Sequence, residues 1–138
     1  MPNESSTSVR VSWPDLTLPE LVARLEQAAR ALAEELPLRR LVLFGSWVQG
    51  RATAASDVDV LVIYADPPRA DAFAVAWRVL TAAGLPRVEP HVYTESQAAQ
   101  LAPTLAAMTR PAIAVYPPPS DRSIHPHLTV LLQGPTRQ

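Results

Sequence analysis

Two aspartates, Asp57 and Asp59, stand two positions apart at the head of the apolar run VDVLVIY. Side chains of a strand alternate between its faces, so both carboxylates project one way while Val58, Val60 and Val62 turn the other. Leu61 and Ile63 continue the carboxylate face into the core. Like charges held this close repel unless something neutralises them. A hard divalent cation, Mg²⁺ or Mn²⁺, does so and can hold a polyphosphate at the same time. Two-metal phosphoryl chemistry uses such carboxylates to bind the attacking and the leaving oxygen. From these two residues alone the bland alternative stays open: a solvated D-x-D at a strand end, with Asp57 as a loop cap.

Upstream, Gly45 and Ser46 follow directly on another apolar run, RLVLF. A strand that passes into a helical turn points backbone N–H groups outward and favours an anion such as a phosphate. Glycine lets the backbone approach a ligand closely, and the serine hydroxyl adds a hydrogen-bonding group. Gly50 allows the chain to turn back towards the sheet. Arg51 is a candidate for contact with a triphosphate and equally a candidate exposed loop residue. Trp47 suits core packing or a partner interface better than stacking on a base. Arg39 and Arg40, ahead of the strand, read as a solvated end with an outside claim on a phosphate.

A further candidate lies downstream. In RVEPHVYT, Glu89, His91 and Tyr93 share one face by the same alternation. Glu89 is the candidate, because a carboxylate can bind metal and accept a proton at neutral pH. His91 stands as the alternative, since Pro90 can shift the register between them. Charge on an exposed edge strand would also explain Glu89.

The elements that must position these residues are legible in outline. Thr17, Leu18, Pro19 and Glu20 form a T-x-x-E capping box, followed by Leu21, Leu25, Ala28, Ala29, Leu32 and Leu36 at helical spacing. Strands follow at 40–44 and 58–64, joined through one helical turn after Ser46 and a flexible ATAAS loop. RADAFAVAWRVLTAAG reads as a helix with Phe73, Trp77 and Leu80 on one face, Trp77 in the core, and Gly84 as its cap. Residues 87–94 form a third strand, at an edge or bulged because of Pro90. Thr94 caps a helix interrupted near Pro103, and AIAVY is a final short strand. The order predicts an α/β (α+β) fold, a small mixed sheet flanked by helices. Residues 1–16 are read as an arm, 17–116 as the domain, and 117–138 as a Pro-rich tail. His125 and His127 in that tail have no third ligand near them in sequence.

Composition narrows the classes. The chain has 138 residues, 48% of them hydrophobic, enough for one globular domain. A net charge of −1 gives nucleic acid no electrostatic support. With no cysteine, disulfide frameworks and thiolate zinc sites are excluded. No signal-like or membrane-spanning apolar run is evident, so the expectation is a cytoplasmic protein without a membrane partner.

Taken together, LFGSWVQGRATAASDVDVLV resembles the signature of the DNA polymerase β-like nucleotidyltransferase superfamily: a strand, Gly-Ser, ten intervening residues, D-x-D, and an apolar strand. It is similar to the minimal nucleotidyltransferases of bacteria and archaea, including antitoxins paired with HEPN-domain partners. The resemblance spans about residues 18–95, with its specific core at 42–62. It implies that Gly45 and Ser46 hold the β- and γ-phosphates of an NTP, with ATP the expected nucleotide. Asp57 and Asp59 would ligate Mg²⁺ (or Mn²⁺), and Glu89 would complete the site as the third acid. The reaction implied is transfer of a nucleoside monophosphate to a hydroxyl, with release of pyrophosphate, the acceptor being a HEPN-type protein partner. Gln49 departs from the arginine that many relatives carry. With Pro90 and the unsettled third acid, it supports a rival: a binding module that keeps the fold and neutralises a partner by occlusion, without catalysis. Self-association is left open.

Overall fold

A computed structural model describes residues 16–85 and 87–118. All of the arm but Leu16, and nearly all of the tail with His125 and His127, lie outside them. Thr17 accepts a hydrogen bond from Glu20 N, and the Glu20 carboxylate accepts one from Thr17 N. This reciprocal box starts α1 (Leu18–Ala33), with Pro19 in its first turn. The helix buries Leu21, Leu25, Ala28, Ala29 and Leu32. Covering a leucine side chain removes it from water at a gain of ~1.5–3 kcal/mol, so this one face anchors α1.

The chain then forms β1 (Leu38–Phe44), β2 (Val58–Tyr64), α2 (Ala72–Ala82), β3 (Val88–Thr94), α3 (Glu95–Gln100), α4 (Ala102–Met108) and β4 (Ala112–Tyr116). The sheet order is β3-β2-β1-β4. β1 runs antiparallel to β2 and to β4, whereas β2 and β3 are parallel and joined through α2. The architecture is the mixed α/β sheet flanked by helices that the sequence predicts. One face packs Leu41, Leu43, Val58, Val60 and Val62 against α1 and α2. The other packs Val42, Phe44, Leu61 and Ile63 against Leu105 of α4.

Several local expectations are corrected. β1 begins at Leu38, so Arg39 and Arg40 lie within the strand rather than ahead of it. Residues 46–50 are hydrogen-bonded turns and not a helix. The loop before Asp57 is shaped by Ser56 Oγ, which accepts from Thr53 N at 2.8 Å, and by the bond from Ser56 N to Thr53 O at 3.0 Å. The helix after Thr94 divides at Leu101, with Pro103 in the first turn of α4. Pro90 sits on edge strand β3 without a bulge, because pairing with β2 is continuous from Val58↔Val88 to Tyr64↔Thr94.

Trp77 is not core. It is 49% exposed and Phe73 54%, whereas Leu80 is fully buried. The buried stripe of α2 is Ala72, Val75, Ala76, Val79 and Leu80, at helical spacing but on a different row from the aromatics. Two alanines in that stripe let the helix sit close to the sheet, and the large rings are left outside.

Candidate active site

The antiparallel register of β1 and β2 sets Phe44 opposite Asp59. Gly45, the next residue, therefore abuts the Asp59 side chain. Its φ is +87°, and a Cβ built there would run into Asp59 Oδ2 and crowd Cγ at 3.2 Å. Glycine is required twice over, for the left-handed backbone and for the close approach. Beyond it, Gly45 O accepts hydrogen bonds from Val48 N (3.0 Å) and Gln49 N (3.1 Å), and Ser46 O accepts one from Arg51 N (2.9 Å). These bonds coil the Gly-Ser step into a tight turn, with Ser46 half-buried.

Asp59 is largely covered, its side chain retaining 25% exposure, and Asp57 is more open at 47%. Burial pushes the Asp59 carboxyl above the ordinary aspartate range; the neighbouring His91 draws it back in part, and the charge of Asp57 adds to the rise. Asp57 Oδ1 lies 3.3 Å from Arg87 Nε. His91 Nε2 is 3.6 Å from Asp59 Oδ1, just beyond a hydrogen bond, and it is buried without a hydrogen-bond partner. The His91 ring leans on Phe44, with centroids 5.3 Å apart.

β3 places Glu89 directly across from Asp59 on the same face, exposed to solvent, and His91 two residues further on. Among the described residues no three acidic or histidine groups converge closely enough to hold a metal ion. Asp57 and Asp59 are brought together, Glu89 is beside them in register, and His91 reaches Asp59. The donor chemistry of two neighbouring carboxylates, one already destabilised by burial, fits a divalent cation, whose charge would relieve both effects.

Arg51 is exposed, and its guanidinium donates to Gln49 Oε1 rather than reaching the aspartates. Trp47 is 6% exposed and belongs to the core; its indole N–H is buried without a partner. Arg39 pairs with Glu95 at 3.5 Å. With Arg40, Leu61, Ile63 and Leu105 it lines a cavity of about 590 Å³ further along the same sheet face, which none of the site residues borders. Arg87 is the site-lining residue that sequence reasoning missed. Its position one residue before β3, parallel to the place of Asp57 before β2, is a signal only once the strand register is known.

The arrangement of this candidate site suits nucleotidyl transfer, and the class of the protein is given by comparison with known proteins. The model of the nucleotidyltransferase domain family matches residues 25–109. The chain belongs to that family and is, by that membership, a nucleotidyltransferase. No curated protein matches the sequence. Among solved structures, a protein of Sulfolobus solfataricus assigned as a nucleotidyltransferase is 18% identical, with a TM-score of 0.46, covering 60% of this chain and 75% of its own. A toxin–antitoxin with AMP-PNP is 19% identical with a TM-score of 0.47, covering 81% and 89%. A mutant of the toxin–antitoxin MntA-HpeT is 16% identical with a TM-score of 0.46, covering 81% and 86%. Among the described residues no helix is long and apolar enough to cross a membrane.

Proposed function

We propose that the chain transfers a nucleoside monophosphate from an NTP, ATP in the first place, to a hydroxyl group of a protein partner. The observation that carries this reading is the packing of the Asp59 carboxylate against Gly45, which sets a phosphate-type turn beside a carboxylate pair. Asp57 and Asp59 would hold Mg²⁺ or Mn²⁺, with Glu89 or His91 supplying the third group. The bound cation supplies charge neutralisation at the phosphates. The turn at Gly45 and Ser46 orients the β- and γ-phosphates and keeps the α-phosphorus over the acids. The acceptor oxygen bonds to the α-phosphorus, the bond to the β-phosphate oxygen breaks, and pyrophosphate leaves. Glu89, open to solvent and level with Asp59, takes the proton of the hydroxyl. A protein acceptor is favoured by the outer face of α2, where Phe73 and Trp77 are exposed one helical turn apart.

The absence of a converged three-ligand group among the described residues favours one rival, an antitoxin-like module that binds its partner without catalysis. NTPs labelled at the α-phosphate, offered with Mg²⁺ and lysate proteins, separate the two. Label that moves onto a partner with wild type and is lost with folded Asp57→Asn and Asp59→Asn supports transfer. If no label moves while both variants capture the same partner as wild type, the transferase reading is wrong for this chain.

A further inference from the structure

Arg87 is held at the mouth of the site twice. Its carbonyl oxygen accepts a hydrogen bond from Val58 N at 2.9 Å, and its Nε lies 3.3 Å from Asp57 Oδ1. It also adopts φ +49°, the one positive φ recorded for a described residue other than glycine. Left-handed backbone at an arginine is a strained choice that persists where the surroundings over-determine it, and such positions gather at functional sites. Here the strain turns the chain into β3 and presents the guanidinium to the carboxylate pair.

We infer that Arg87 is a nucleotide-binding residue that exchanges partners: it neutralises Asp57 in the metal-free protein and turns onto the polyphosphate when a divalent cation takes Asp57. This rests on the nucleotidyltransferase reading above. The exchange is cheap because the ion pair is exposed, with 57% of the arginine side chain and 47% of the aspartate side chain open to solvent. A guanidinium freed by the cation faces a ligand that carries more negative charge than one cation cancels, and its planar fork suits phosphate oxygens. Arg51, the sequence candidate for this task, is instead turned towards Gln49.

The same charge therefore acts in opposite directions on the two ligands. In the full-length protein, free Mn²⁺ is followed by electron paramagnetic resonance, and binding of a non-hydrolysable ATP analogue with Mg²⁺ by fluorescence. Arg87→Gly removes the guanidinium and relieves the backbone, so the protein stays folded. It is expected to bind Mn²⁺ alone several-fold more tightly and the nucleotide about tenfold more weakly, the size of a lost charge-assisted contact. Arg87→Lys keeps the charge without the fork and falls between. Arg78→Gln, which removes a charge of α2 that is paired with Glu35, shifts neither affinity. Nucleotide affinity unchanged in Arg87→Gly, or both affinities moving the same way, overturns the inference and leaves the site reading standing. Wild type that binds neither ligand overturns both.

Discussion

Replacing Gly45 with alanine tests the central geometry of the site. The backbone there has φ +87°, where a Cβ costs ~1–2 kcal/mol. The new methyl also meets Asp59 Oδ2, Cγ and Cβ together. The whole carboxylate arm must therefore rotate away, at ~0.5–1.5 kcal/mol for leaving its rotamer. The sum is a loss of roughly 1.5–3.5 kcal/mol. The second term depends on the Asp59 carboxylate and disappears in an Asp59→Ala background, where the backbone strain and the contact with Cβ at 3.3 Å remain. A double-mutant cycle in urea reads the difference as a coupling of ~0.5–1.5 kcal/mol, with similar m values for all four proteins. Strict additivity would refute the claim that Gly45 and Asp59 are packed against each other, leaving the left-handed backbone as the one reason for glycine at the turn.

Asp59 is expected to make the metal-free protein less stable at neutral pH. Its folded pKa is raised, chiefly by burial, so between the ordinary aspartate value and the raised one the native state binds more protons than the unfolded chain. Stability then falls as pH rises through that window and returns on acidification. Asp59→Asn should be the more stable protein at neutral pH, and thermal melts of the pair should converge as pH is lowered through the window; a gap that does not narrow contradicts the assignment. On α2, Leu80→Ala should cost ~2–5 kcal/mol because the side chain is fully buried. Trp77→Ala should stay within ~0.5 kcal/mol despite removing a larger group. Urea midpoints would reveal any reversal of that order.

The proximity of the candidate residues is legible in the sequence because they are local. Gly45, Ser46, Asp57 and Asp59 lie within one strand–turn–strand unit, and the period of two already puts both carboxylates on one face. Thr17 and Glu20 announced α1 for the same reason, since a capping box closes within four residues. Trp77 lies outside the core because α2 carries two rows at helical spacing, and the row with the aromatic side chains is not the one that meets the sheet. The row 72, 75, 76, 79 and 80 was present in the sequence, but the sheet face it meets was not. Arg87 carries no such local mark: nothing near it in sequence distinguishes it from any exposed arginine.

The amino-acid sequence by itself determined the order of elements, the shared face of Asp57 and Asp59, and the need for a flexible residue after β1, all consequences of short-range sterics and periodicity. Only the tertiary structure decided which groups meet those carboxylates. Parallel pairing of β2 with β3 brings Arg87 to Asp57 and sets Glu89 and His91 beside Asp59, and antiparallel pairing of β1 with β2 closes Gly45 onto Asp59. Register between strands distant in sequence is set by burying both faces of the sheet at once, a condition that no single segment carries.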